Sequence, residues 1–184
     1  MIFSVGIAAL AVGFALLRGG SLEKLLATSF RFPALLFTGL IIQVVFEYWN
    51  PPFLAGAWNI ALFAFTQTLV VFFLLANWKL PGMWLAALGL VLNVVVISAN
   101  GGMPIKVDES RRGEFSESGE IDLDHELITD DTVLPLLGDV IPLPFTIRVI
   151  SIGDVVLALG IGRFAYRRSL EDPVDETASV QEST

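Results

Sequence analysis

Apolar residues in this chain are bunched into runs separated by short polar breaks. A membrane-spanning helix needs ~20 mostly apolar residues, somewhat fewer where the bilayer thins. Five runs approach that length: 2–17, 34–49, 57–76, 82–98 and 150–166. The pattern predicts an all-α polytopic membrane helix bundle with five transmembrane helices. A long loop, 99–147, joins the fourth span to the fifth, so that residues 1–168 form the membrane domain. The first run has no basic segment before it and no small-residue cleavage site after it, and reads as a retained span. Behind Ser21, Leu22, Leu25, Leu26 and Phe30 recur at helical spacing beside Lys24 and Arg31, predicting a short amphipathic helix on the membrane face. Pro33 and Pro81 stand where a first helical turn tolerates proline.

Composition agrees. Of 184 residues, 54% are hydrophobic and 16% charged, and the mean hydropathy is +0.72. A soluble domain of this size carries more surface charge. The absence of cysteine excludes disulfides, thiolate metal sites and a cysteine nucleophile. A net charge of -8 disfavours nucleic acid as a partner.

The distribution of charge sets the orientation. Arg18, Lys24 and Arg31 lie in the first connection, Lys79 in the third, and Arg163, Arg167 and Arg168 at the end of the last span. The second connection, NPPFLAG, carries no charge. Basic residues favour the cytoplasmic side in short loops. The N-terminus is therefore expected outside and the C-terminus in the cytoplasm, with the long loop outside. Aromatic placement gives the same orientation: Tyr48, Trp49 and Trp58 fall at the outer interface, and Trp78, Trp84 and Tyr166 at the inner one. The acidic, polar tail 169–184 is expected to be disordered.

Polar residues inside spans cost free energy, so their positions carry information. Gln43 and Glu47 lie four apart on the second span. Asn59, Thr66, Gln67 and Thr68 are on the third, Asn93, Ser98 and Asn100 on the fourth, and Asp154 on the fifth. The functional reading is an outward-open polar cavity whose candidate residues are Gln43, Glu47, Asn93, Asn100, Asp139, Arg148, Ser151 and Asp154. The plainer reading is hydrogen-bonded glue between helices, at ~0.6–2 kcal/mol per contact. Gly6 and Gly13, and Gly153 and Gly160, are spaced seven apart on the first and last spans. Those faces allow the two spans to pack on each other, or two copies of the chain to dimerise.

The outer loop divides into three parts. NGGMP (Asn100–Pro104) enforces a turn. The acidic middle holds Asp122, Asp124, His125, Glu126, Asp130 and Asp131. It begins like a calcium loop but lacks the turn glycine and the closing glutamate at the required spacing, so no metal site is expected. No serine, histidine and acid pattern with familiar surroundings is present, and no catalytic residue or cofactor is assigned. The last part, VLPLLGDVIPLPF (Val133–Phe145), is too apolar for a free loop and too rich in proline for a span. It is expected in the outer interface, or as a lid over the helix ends.

With NGGMP, LGDVIPLP (Leu137–Pro144) and SIGD (Ser151–Asp154), the chain resembles a family of small bacterial multi-pass membrane proteins classed only as a domain of unknown function. The resemblance covers residues 1 to about 166, leaving out the acidic middle of the loop and the tail. It implies a bacterial inner-membrane protein and supplies neither an activity nor site residues.

Three functions then compete. The first is a non-enzymatic membrane subunit or scaffold, embedded in the lipid bilayer and binding a membrane-protein partner or a second copy of itself. The second is a binding or transport protein for a small solute or lipid headgroup, using the outer cavity. The third and weakest is an intramembrane enzyme pairing Asp139 with Asp154, since two acids alone specify no reaction. SIGD itself reads first as a capping box, with Ser151 as N-cap and Asp154 three residues on, near the positive end of the helix dipole.

Overall fold

The computed structural model describes residues 2–49, 57–106, 125–143 and 149–170. Residues 107–124 of the loop, Arg148 and the tail from residue 171 on lie outside them, as do the side chains of Glu47, Tyr48, Trp49, Trp58 and Asn59. Ser169 and Leu170, expected in the disordered tail, belong instead to the last helix. The α-helices are α1 (Ile2–Leu17), α2 (Leu22–Leu26), α3 (Pro33–Trp49), α4 (Ala57–Ala76), α5 (Met83–Asn100) and α6 (Ile152–Leu170). The five long helices fall on the five apolar runs within a few residues, so the chain is mainly α. Helix α5 is long and apolar enough to cross a membrane, and Pro33–Val45 of α3 and Ala61–Ala76 of α4 are shorter apolar stretches.

Glycine and proline set several of the helix boundaries. Helix α1 ends in a Schellman arrangement. The Gly20 N–H reaches Ala15 O at 2.8 Å and the Gly19 N–H reaches Leu16 O at 3.1 Å, with Gly19 at φ +88, a conformation that penalises any Cβ. Pro33 is the first residue of α3, as its missing N–H favours. Pro81, in contrast, precedes α5 by two residues, because Gly82 intervenes at φ +86. A Cβ at Gly82 would overlap Gly160 O. Helix α5 closes at Gly101, φ +84, whose N–H bonds Ile97 O at 2.9 Å.

The principal packing partners run α3–α4–α5–α6–α1, so the last helix sits between the fifth and the first. Buried Phe73, Leu74, Met83, Ala86, Ala87 and Leu90 form the core, with Phe30 and Phe164 packed against it. Phe30 departs from the expectation of an amphipathic surface helix. Helix α2 stops at Leu26, and the Phe30 ring turns inward to Phe73 and Phe164 at 5.6 and 5.5 Å. Leu22 and Leu26 do remain exposed.

The loop after α5 contains short strands that helix-period reading does not register. Strand β1 (Met103–Ile105) pairs in parallel with β2 (His125–Leu127), and β3 (Ile141–Pro142) pairs antiparallel with β4 (Val149–Ile150). A 3-10 turn, Pro135–Leu137, precedes Gly138, where a Cβ would overlap Pro104 O. The Asp139 N–H then bonds Pro104 O at 2.7 Å, and Lys106 N–H bonds Asp139 O at 2.9 Å. NGGMP and LGDVIPLP thus meet backbone to backbone, and β3 leads through β4 into SIGD. Val133, Leu134 and Leu136 stay exposed on this cap.

Candidate functional site

The seam between α5 and α6 holds three of the eight candidate residues. Ser151 precedes α6 and its Oγ accepts the Asp154 N–H at 2.9 Å, while the Ser151 N–H reaches Asp154 Oδ2 at 3.3 Å. These are the two reciprocal bonds of a capping box, closed here by the shorter aspartate. Asn93, on α5, completes the arrangement. Its Nδ2 donates to Asp154 Oδ1 at 2.8 Å, and its Oδ1 accepts from Ser151 Oγ at 3.0 Å. Amide nitrogen and oxygen face opposite demands, so only one orientation of Asn93 serves both.

Small residues make this reach possible. A Cβ on Gly153 would overlap the Asn93 Oδ1 atom, and one on Gly89 would fall 2.5 Å from Gly153 O. Two turns further along α6, a Cβ on Gly160 would overlap the Ala86 backbone of α5. The glycine pair of the last span therefore faces α5. Helix α1 also packs on α6, where the Phe14 and Tyr166 rings stack with centroids 5.8 Å apart. Gly13 meets nothing within 4 Å of where its Cβ would be.

The chemistry available at this seam is limited. Ser151 is fully buried and directs its proton to an amide oxygen, which is not a general base. Both Asp154 oxygens accept hydrogen bonds, from Asn93 and from its own helix start. The arrangement closes on itself as a polar lock between helices.

The other candidates are distributed elsewhere. Asn100, two turns above Asn93, bonds Val96 O at 2.8 Å and grips Val133 at both backbone groups, at 2.9 Å to its carbonyl and 2.7 Å from its N–H. Asp139 is buried against β1. Gln43 belongs to a different seam: its Nε2 donates to Thr66 Oγ1 of α4 at 3.2 Å. Glu47 is on α3, but its side chain, like Arg148, lies outside the described residues. Of the acidic run, Asp122 and Asp124 lie outside them as well, and among the described residues no group of three or more histidine or acidic side chains is placed to hold a metal ion. A cavity of about 280 Å³ opens beside the Asn100 clamp, with Leu127, Thr129, Asp131 and Thr132 among its lining residues.

One structural residue escaped the sequence reading. Asn77, buried just past α4, donates from Nδ2 to Arg31 O at 2.9 Å and to Phe73 O at 2.8 Å, and accepts the Arg31 N–H at 2.8 Å. It repeats the Asn100 clamp at the other end of the bundle. The available signal was positional, an asparagine closing each of two apolar runs.

A mainly α bundle with a strand-paired loop cap and a polar lock between its last two helices is the class that this geometry defines. The chain belongs to a family of unknown function, DUF5317, which matches residues 27–166. That interval begins just after α2 and contains α3 to α6 up to Tyr166, and the whole cap. An uncharacterised protein of Thermotoga maritima is 32% identical over 108 residues, 56% of this chain. The chain spans 62% of that relative's length. No solved structure matches it.

Proposed function

We propose that this chain is a five-span integral protein of the bacterial inner membrane that serves as a non-enzymatic subunit or scaffold for a membrane-protein partner. The observation that carries this reading is an apolar exterior around a core that also holds polar side chains. Large apolar residues face outward on every long helix, with Leu10 72%, Leu17 86%, Phe37 60%, Phe72 59%, Leu88 46% and Leu159 58% exposed. Ser151, Thr66, Asn77 and Ser169 are buried in the interior. Soluble monomers rarely expose contiguous apolar patches beyond a few hundred Å². In a bilayer, by contrast, apolar exteriors and internally satisfied polar groups are the stable arrangement. Helix α5 supports it further, since Trp84, Leu88, Val91 and Val95 form one exposed stripe along its length.

The basic ends of α1, α2 and α6 face the cytoplasm in this reading, with the strand-paired cap outside. The scaffold role is supported by a site chemistry that is already self-satisfied, together with exposed Val133, Leu134 and Leu136 on the cap. A second reading, capture of a small solute or headgroup, draws on the cavity beside Asn100 with its threonine hydroxyls and Asp131.

The test uses the cysteine-free chain. Cells expressing it are fractionated and extracted at alkaline pH, and single cysteines at positions 117 and 24 are probed with an impermeant thiol reagent. Retention in the membrane, with position 117 labelled in intact cells and position 24 only after permeabilisation, is expected. Alkaline release would overturn the integral reading, and reversed labelling the orientation. Crosslinking in mild detergent is expected to yield a stoichiometric partner. Its loss across several detergents, with Asn100→Ala abolishing ligand retention, would favour the second reading.

A further inference from the structure

We propose that Phe32 and Leu134 are a matched pair of membrane anchors, one at each end of the bundle, whose side chains enter the lipid at the two interfaces. The inference rests on the membrane reading above and adds to it the residues that fix the depth of the chain in the bilayer.

Phe32 and Leu134 are the non-glycine residues of positive φ among the described residues, at +53 and +54. A bulky side chain is an outlier in that left-handed region, kept only where its surroundings over-determine it. One device does so at both positions. Asn77 holds Arg31 by its N–H and its carbonyl, at 2.8 and 2.9 Å, and Phe32 follows. Asn100 holds Val133 by its N–H and its carbonyl, at 2.7 and 2.9 Å, and Leu134 follows. Each is succeeded by a proline, Pro33 or Pro135, whose ring keeps the residue before it out of the right-handed region. Each carbonyl then accepts the N–H three residues on, from Leu35 to Phe32 at 3.1 Å and from Leu137 to Leu134 at 2.9 Å. The result is the same in both places: a large apolar side chain stands out from the bundle, Phe32 65% and Leu134 46% exposed.

The occupant follows from where the two knuckles stand. Asn77 begins the short turn that leads into α5, and Asn100 is the last residue of α5. One helix of 18 residues therefore separates them, ~27 Å at its rise, against a hydrocarbon core of ~30 Å. The exposed stripe of Leu88, Val91 and Val95 runs between the two ends, so both knuckles continue an apolar exterior. A bilayer presents the same boundary of apolar and polar solvent twice at that spacing, which a protein docked at one end does not.

Charge agrees with this placement. Arg31 precedes Phe32, and Lys79 lies in the turn that Asn77 begins, on the side where the membrane reading puts the anionic cytoplasmic leaflet. Exposed Trp78 belongs to the same turn, and an indole favours the headgroup level. At the other end Asp130 and Asp131 come shortly before Leu134, so apolar burial alone acts there. Leu134 is thereby assigned to lipid, and Val133 and Leu136 of the cap stay available to a partner.

For the test, Phe32→Cys and Leu134→Cys of the full chain are labelled with a small environment-sensitive fluorophore and reconstituted in phosphatidylcholine vesicles with iodide on both sides. Lipid brominated near its glycerol is expected to quench both labels and iodide neither, whereas a label on Lys106→Cys, exposed on the cap, is expected to respond the other way. The unlabelled chain, irradiated with a phosphatidylcholine carrying a photoreactive group near its glycerol, is expected to give adducts at Phe32 and Leu134, and carries the test if a cysteine variant fails to fold. Iodide quenching at either position would overturn the proposal, as would protection from both quenchers, the result of a second copy of the chain covering the site. Leu88→Cys separates two levels of failure. If lipid brominated near its chain ends quenches position 88 while positions 32 and 134 meet iodide, the membrane reading stands and this inference alone is lost. Iodide quenching at position 88 would remove both.

Discussion

Two seams in the bundle are built from the same local device and end differently. In α3, Gly39 is followed four residues later by Gln43; in α5, Gly89 is followed four residues later by Asn93. In both, the glycine admits a neighbouring backbone and the amide one turn on reaches across. At the α5–α6 seam, Asn93 finds an acceptor in Asp154 for its nitrogen and a donor in Ser151 for its oxygen. At the α3–α4 seam, Gln43 donates to Thr66, whose hydroxyl already bonds Phe63 O at 2.8 Å, and Gln43 Oε1 is buried with no hydrogen-bond partner among the described residues. The difference lies in what the facing helix offers. A mid-helix threonine has its proton taken by a carbonyl one turn earlier in its own helix, whereas a helix start has a free N–H and a capping side chain to share. Where a polar bond is required to specify one arrangement, the end of a helix is the better partner.

The largest expected effect comes from closing the approach itself. Gly89→Ala places a Cβ 2.5 Å from Gly153 O and 2.9 Å from Leu157 Cα, so the helices must separate. It is expected to cost about 3 kcal/mol in reversible unfolding in mixed micelles. Gly39→Ala meets Thr66 O at 3.0 Å and Val70 Cγ2 at 3.1 Å and is expected to cost about 1 kcal/mol. Gly13→Ala meets nothing and is expected to gain about 0.5 kcal/mol from helix propensity. Equal losses at Gly89 and Gly13 would mean that the seam is not the close approach described.

Removing the lock ranks next. Asp154→Ala leaves the Asn93 amide and the Ser151 N–H without their acceptor and is expected to cost about 2 kcal/mol. Ser151→Ala, which loses the cap and the donor to Asn93 Oδ1, is expected to cost about 1–2 kcal/mol. The combined variant is expected to lose less than the sum, because the two side chains share one ring of bonds. Strict additivity would show that they act independently.

Smallest of all is the effect at the other seam. Gln43→Leu removes one hydrogen bond, worth ~0.6 kcal/mol on average between membrane helices, but also removes a buried unsatisfied oxygen. The expected change is within about 0.5 kcal/mol of zero, in either direction. A loss comparable to that of Asp154→Ala would erase the contrast between the seams.

The α1–α2 turn shows where sequence reading reached its limit. Leu22, Leu25, Leu26 and Phe30 share a helical period, yet Phe30 lies past the end of α2 and fills the core between Phe73 and Phe164. Periodicity measures spacing along the chain and is blind to where a five-residue helix stops. The glycines of the last span are a second case. Gly153 and Gly160 were legible as a close-packing face, but α1 and a second copy of the chain were the partners considered, and α5 holds that face. Spacing identifies a smooth stripe without naming what lies on it. The cap is a third. NGGMP reads as a turn and LGDVIPLP as part of an interfacial stretch or lid, and their meeting at Pro104, Gly138 and Asp139 depends on backbone groups more than 30 residues apart.

What the chain alone determined is local: five apolar runs that became five long helices, and the Ser151–Asp154 capping box, whose bonds span three residues. Such features depend on neighbours within a turn or two, so adjacent residue types suffice to encode them. Tertiary structure alone decided the order α3–α4–α5–α6–α1, the choice of Asn93 as the third member of the lock, and the separation of Gln43 from it. Those depend on which apolar surfaces meet, and apolar surfaces are nearly interchangeable in sequence. Discrimination falls to a few glycine contacts and directed hydrogen bonds, whose geometry exists only once the helices are side by side.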